Sequence, residues 1–246
     1  MPNLVAIHQP NFFPWLGYFD KIARADIFVF LDDVQFPKKG GSWSSRVKIV
    51  MNGAASWASA AIDRDYHGTR NINQMNFLAT NPWRLKIFRS LETNYRKHPH
   101  YKSTMDVVEP LLKNTEANIA AYNIHAVTAL AQHLGLDTTK LRQSSDLPGT
   151  GHSNELLCSL THAVGGGAYV CGGGADGYQD ESVFKASGIE LVRQEFVHPI
   201  YPQAGVNEFV PGLSIVDALM NHGAAAVGAL IEKTALKATF TERYGG

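Results

Sequence analysis

The chain has 246 residues, 45% of them hydrophobic, with 22 Lys+Arg against 22 Asp+Glu. That length suits one large domain or two small ones, and the balanced charge provides no field of one sign to hold nucleic acid, so no nucleic-acid partner is expected. Two cysteines, Cys158 and Cys171, make neither a disulfide framework nor a zinc site. The start, Met1-Pro2-Asn3, lacks a basic segment followed by an apolar core, and no run reaches the roughly 18–20 apolar residues of a membrane span. The expectation is a soluble cytoplasmic protein without a membrane span.

Val5 to Asp33 organises the chain. A short apolar run, Leu4 to Ile7, reads as a strand and stops at His8-Gln9-Pro10. Pro14 suits the first position of a helix, with Trp15, Tyr18, Phe19 and Ile22 at helical spacing. A second apolar run, Ile27 to Leu31, ends in Asp32-Asp33. This is β-α-β, and a right-handed crossover brings the two strand ends side by side. His8-Gln9 and Asp32-Asp33 are therefore expected at one sheet edge, where α/β proteins bind ligands.

A basic glycine-containing loop, Val34 to Ser42, follows. Trp43 to Met51 alternates, placing Trp43, Val47, Ile49 and Met51 inward and Ser44, Arg46 and Lys48 outward. Asn52-Gly53 signals a type I′ hairpin, with a return strand over Ala54 to Ile62. Helices are expected over Trp83–Lys97, Ser103–Leu112 and Asn118–Leu134, the last stopped by Gly135.

The final third returns to alternating strand and helix. A strand is expected over Lys140–Gln143, a helix over Asn154–Val164 capped by Ser153, and a strand over Ala168–Cys171 that runs into a glycine loop, Gly172 to Gly177. Asp180 then caps a helix that Gly188 stops, Ile189–Phe196 is a strand, and Ser214 caps a helix over Leu213–His222. The expected fold is α/β: a mostly parallel, Rossmann-like sheet covered by helices, with a β-hairpin and a helical insertion, about residues 82–135, in one domain over 1–246.

The motifs H-Q-P-N-F-F-P-W-L-G-Y-F-D-K-I (His8 to Ile22), L-D-D-V-Q-F-P-K (Leu31 to Lys38), Trp43 with Arg46, N-Y-R-K-H-P (Asn94 to Pro99), Y-V-C-G-G-G-A-D-G-Y (Tyr169 to Tyr178) and L-S-I-V-D-A-L-M-N-H-G (Leu213 to Gly223) resemble the WbqC-like family over most of the chain. The resemblance implies a place in O-antigen or other surface-polysaccharide biosynthesis and transfer of an aminoacyl group, glycine in particular, onto an amino sugar. It implies no catalytic residues. The basic strand often reads W-x-N-R-N in the family and is W-S-S-R-V here, which implies a different substrate if those asparagines bind it. A weaker resemblance runs to nucleotidyltransferases that carry H-x-G-H after the first strand. Trp15-Leu16-Gly17-Tyr18 stands there instead, without either histidine.

Candidate side chains follow from chemistry. His8 suits a general base for an attacking amine or hydroxyl, with Asp32 or Asp33 to orient it and Gln9 as a hydrogen-bond donor. The acidic pair could instead hold Mg²⁺ against a phosphate, the less favoured reading. Asn11, Trp15, Tyr18 and Gln35 are candidates for substrate contact, although aromatics at helical spacing are more often core. Gly17 is expected to permit close helix–sheet approach. Lys38, Lys39, Arg46 and Lys48 form a local basic patch on which Arg46 could grip two oxygens. In the glycine loop, Gly173, Gly174, Asp176 and Tyr178 are candidates to cradle the phosphate of a nucleotide or nucleotide-activated donor. His98 and His100 flank a proline, which prevents an i, i+4 ligand pair, so no metal site is expected. Cys171 reads as a buried thiol before a nucleophile.

The leading expectation is an aminoacyl or acyl transferase whose partners are a small-molecule donor, an activated amino acid, and an amino-sugar or other small-amine acceptor. The alternatives are an ATP-using adenylyl- or nucleotidyltransferase-like enzyme and a non-catalytic nucleotide-sugar-binding scaffold.

Overall fold

The computed structural model describes residues 3–38, 42–172 and 179–244, with side chains through 235. In chain order the elements are β1 (Asn3–His8), α1 (Leu16–Arg24), β2 (Ile27–Phe30), β3 (Arg46–Met51), β4 (Ala54–Ser59), α2 (Trp83–Tyr95), α3 (Tyr101–Lys113) and α4 (Ile119–His133). They continue with β5 (Leu141–Gln143), α5 (Asn154–Ala163), β6 (Gly166–Cys171), α6 (Glu181–Ala186), β7 (Glu190–Arg193), α7 (Ile215–His222) and α8 (Ala224–Tyr244).

Five strands form a parallel sheet in the order β5-β2-β1-β6-β7, and β3 and β4 form a separate antiparallel hairpin. The chain begins at the centre of the sheet, winds outward to β5, then crosses back to β6 on the other flank of β1. The winding reverses between β1 and β6. Loops leaving their carboxyl ends therefore diverge and open a crevice, the topological switch point where ligands bind in α/β sheets.

Strand period two divides the core into two layers. Leu4, Ala6, Phe28, Phe30, Ala168 and Val170 enter the larger core, which also holds Phe19 and Ile22 of α1 and Trp83, Tyr122 and Leu130 of the middle helices. Val5, Ile7, Val29, Tyr169 and Cys171 point the other way, against Cys158 and Leu160 of α5 and Phe184 of α6. Burial on both faces explains why these strands read as unbroken apolar runs.

Asn52 and Gly53 have φ of 52° and 78°, the two positive values a type I′ turn requires. The inward reading of Trp43 is corrected. The strand begins only at Arg46, and residues 43–45 form a turn closed by Ser45 N–H donating to the Ser42 carbonyl (3.0 Å). That turn buries Ser44 and Ser45 and leaves Trp43 49% exposed. The return strand ends at Ser59, short of the expected Ile62, which bridges Phe77 instead.

Two helix starts also differ from expectation. Pro14 does not open α1, because Trp15 is its extended N-cap and pairs with Ser214, while Ile215 N–H donates to the Pro14 carbonyl (2.8 Å). Ser153 precedes α5 but its hydroxyl makes no cap bond, since its backbone lies at φ 50°. The expected caps at Asp180 and Ser214 are present, and Asn118, expected as the first residue of its helix, caps α4; each side-chain oxygen accepts a backbone N–H of the first turn.

A buried polar node holds α7 in place. The Asp217 carboxylate accepts from the hydroxyls of Tyr95 and Tyr201 (2.8 Å each) and from Gln203 Nε2 (3.1 Å). Burial pushes the Asp217 carboxyl above its ordinary pKa. Among the described residues, no helix is long and apolar enough to cross a membrane.

Candidate functional site

A cleft of about 440 Å³ opens at the switch point, lined by His8, Asn11, Trp15, Gly17, Tyr18, Lys21, Trp43, Gly172, Gln194, Phe196 and Gly212. Its position follows from the topology. His8 ends β1, Gly172 follows β6, and α1 begins beside them.

His8 Nδ1 lies 3.1 Å from the Gln9 carbonyl. A carbonyl only accepts, so Nδ1 carries the hydrogen and Nε2 is the basic nitrogen. The same carbonyl accepts from the Tyr18 phenol (3.0 Å), and the two rings meet edge to face with centroids 4.7 Å apart. Burial and the nearby Lys21 ammonium lower the His8 pKa to about 4, so the ring is neutral at physiological pH. Burial pushes the Tyr18 hydroxyl well above its ordinary value, so it is a donor and not an anion.

Lys21 is the residue that the sequence reading missed. It sits in the second turn of α1, 3% exposed, and its Nζ donates to the Ile7 carbonyl (3.1 Å) with the Tyr169 ring 5.7 Å away. Desolvation lowers its pKa to about 8. The available signal was its place three residues after Tyr18 and four after Gly17, on the stripe facing the sheet. Asp20, its neighbour in sequence, is fully buried but engaged elsewhere, with Arg24 Nε (2.6 Å), Gln194 Nε2 (2.8 Å) and Thr234 Oγ1 (2.6 Å).

Gln194 and Phe196, also missed, form the outer wall. Gln194 Nε2 donates to the Gly17 carbonyl (2.7 Å), and Phe196 meets Trp15 edge to face at 5.2 Å. The role expected of Gly17 is corrected. The group that excludes a side chain there is the Trp15 indole, not the sheet. Trp43 reaches the cleft because its carbonyl accepts from Phe12 N–H (2.8 Å), while Asn123 Nδ2 bonds the Pro10 and Ser44 carbonyls (2.9 and 2.8 Å).

Of the expected site residues, the structure gathers His8, Asn11, Trp15 and Tyr18 in the cleft, with Gln9 at its rim through its carbonyl. Asp32 and Asp33 leave the same sheet edge, but the oxygens of Asp32 are engaged away from His8. They accept from Ser144 Oγ (2.9 Å), Ser145 N–H (3.0 Å) and Ser145 Oγ (2.8 Å), and Asp33 bonds the same Ser144 hydroxyl. Gln35 is exposed and bridges Asn71; Lys38 is exposed, with its carbonyl bound by Arg64. Arg46 lies over the Trp57 ring at 4.1 Å, on the outer face of the hairpin. Lys39, Gly173, Gly174, Asp176, Tyr178 and the rest of the loop through Gly177 lie outside the described residues. Among the described residues there is no cluster of three or more His, Cys, Asp or Glu able to hold a metal ion.

The sequence is 31% identical over 224 residues to the uncharacterized protein Rv1507c of Mycobacterium tuberculosis, a match covering 90% of this chain and 95% of that relative. No solved structure matches the chain. The family model described as the WbqC-like protein family matches residues 9–229, a span that begins just after His8 and takes in α1 and the Gln194–Phe196 wall. The chain therefore belongs to the WbqC-like protein family.

Proposed function

We propose that this protein transfers an acyl or aminoacyl group, of the glycine type, onto the amine of an amino sugar or another small acceptor in surface-polysaccharide or related biosynthesis. The observation that carries the reading is the neutral His8, with its hydrogen fixed on Nδ1 and its Nε2 lone pair available, at the switch-point cleft. As the acceptor nitrogen bonds to the acyl carbon, Nε2 takes the N–H proton, and the tetrahedral intermediate collapses by expelling the donor's leaving group. The aromatic faces of Trp15, Phe196 and Trp43 suit the apolar side of a sugar ring. Family membership supports the setting. The donor is a nucleotide-type or otherwise activated acyl compound. Asp32 acts on this chemistry only indirectly, by fixing the end of β2.

The test is mass spectrometry of a panel of nucleotide-linked amino sugars incubated with aminoacyl adenylates or acyl thioesters. Wild-type protein is expected to add one acyl mass to the amine, and His8→Ala to slow that step by about 10²–10⁴-fold. Full activity in His8→Ala would overturn the mechanism.

A further inference from the structure

We infer that the floor of the cleft is an anion subsite, in which the Lys21 ammonium receives a carboxylate or phosphoryl group of the substrate. The inference deepens the transferase reading and rests on it for the identity of the substrate, but the geometry that supports it is independent.

Lys21 is 3% exposed and lines the cleft. A buried ammonium is ordinarily paired with a carboxylate, because desolvation is costly unless an opposite charge offsets it. Among the described residues Lys21 has no such partner. It has one carbonyl, Ile7, the face of Tyr169, and Cys171 nearby. The neighbouring carboxylate of Asp20 is already bonded to Arg24, Gln194 and Thr234. An ammonium has three N–H donors, and the Ile7 carbonyl takes one. Among the described residues no carboxylate offsets its charge, and an anion in the cleft would supply that offset. The first turn of α1, represented there by Gly17 and Tyr18, adds positive potential of the same sense.

The subsite also bears on His8. The Lys21 ammonium is one of the two causes that depress the His8 pKa. An anion bound to Lys21 cancels that repulsion and raises the basicity of Nε2 only when substrate is present. The base then strengthens in the loaded site and stays uncharged in the empty one.

The test uses the full chain and simple probes, inorganic phosphate, pyrophosphate, acetate and glycine, read by calorimetry and thermal shift at neutral pH. At least one is expected to bind saturably at millimolar concentration. A response to phosphate or pyrophosphate alone identifies a phosphoryl group, and a response to acetate or glycine a carboxylate. Lys21→Met should weaken binding by about 10- to 100-fold, the range for a charged hydrogen bond, and leave the melting temperature of the unliganded protein equal or higher, since it removes an uncompensated buried charge. Lys86→Met, on the exposed face of α2, should bind as wild type does. A lowered melting temperature or failure to fold in Lys21→Met would assign Lys21 a structural role and overturn the proposal. So would unchanged binding in that variant, or no anion bound by wild type at tens of millimolar.

A second measurement needs no change at Lys21. The titratable groups facing it are His8 from β1, Tyr18 from α1, and Tyr169 and Cys171 from β6. His8 is neutral above its pKa of about 4, and burial pushes both tyrosines upward. Cys171→Ser removes the remaining group. Removing Cys171 also removes a group that raises the Lys21 pKa, so in that variant anion affinity should fall about tenfold per unit from a pH somewhat below the wild-type value of about 8, as Lys21 loses its proton. A flat profile between about pH 7 and 10 would overturn the proposal. Because binding is read without turnover, failure to form an amide would count against the transferase reading alone.

Discussion

The Trp15 indole lies across Gly17, so that a Cβ placed at residue 17 would fall 2.4 Å from the indole Cη2. The contact explains why a glycine stands in the first turn of a helix where its propensity is poor. Trp15 stacks against His198 at 6.1 Å and meets Phe196 at 5.2 Å, so the indole is held from both sides as one wall of the cleft.

Gly17→Ala is therefore expected to displace the Trp15 ring and cost about 1–3 kcal/mol of stability, even though alanine alone would favour the helix by about 1 kcal/mol. Tryptophan fluorescence should shift, and denaturant midpoints should fall. In Trp15→Ala the second change should become neutral or stabilising, a coupling a double-mutant cycle detects. Additive effects would refute the steric account.

Asp32 ties the end of β2 to the turn after β5, through Ser144 and Ser145. Asp32→Ala removes the acceptor of the Ser145 N–H and hydroxyl, while the Ser144 hydroxyl keeps Asp33, and is expected to cost about 1–2 kcal/mol in urea unfolding. Asp32→Asn, which keeps the shape, should retain acyl transfer by the folded fraction. A stable Asp32→Asn protein without activity would show that the carboxylate acts on the chemistry directly.

The His8 pKa is lowered from 6.5 to about 4, so between those values the folded protein binds fewer protons than the unfolded chain. The His8 contribution is present above about pH 6.5 and is lost as pH falls toward about 4. Wild-type stability should thus decline on acidification through this window. His8→Gln should flatten part of the slope, the remainder including His198, whose pKa burial also lowers. An unchanged slope in His8→Gln, measured by urea midpoints across the window, would mean that His8 is not held neutral by the fold.

The local elements were legible because their signals are local. The hairpin at Asn52-Gly53 follows from two residues that tolerate positive φ, and the starts of α4, α6 and α7 follow from Asn118, Asp180 and Ser214 accepting N–H groups two or three residues on. Burial at Trp83, Ile87, Leu91 and Tyr95 follows from steps of four along α2. Trp43 was misread because alternation was extended three residues past the point where the chain turns, and nothing in the pattern Trp-Ser-Ser marks that turn.

The candidate site was legible in part. His8, Asn11, Trp15 and Tyr18 lie in one short motif whose strand–loop–helix sense carries them to a common edge. The pairing of Asp32 with His8 was not realised, because adjacency at a sheet edge does not say which neighbour a carboxylate bonds. Ser144 and Ser145, at the end of β5, are closer in bonding terms than the adjacent strand's histidine.

By itself the sequence determined the parallel α/β class, the β1–α1–β2 unit, the hairpin and most helix boundaries, since these rest on periodicity and capping among residues a few positions apart. Tertiary structure alone decided the strand order, the burial of Lys21 in the cleft, the partners of Asp32 and the wall built by Gln194. Those depend on contacts spanning 14 residues for Lys21 to Ile7, 112 for Ser144 to Asp32, and 177 for Gln194 to Gly17. Contacts at such separations leave no period in the chain, because packing and charge bring the partners together only after the strands have been ordered in the sheet.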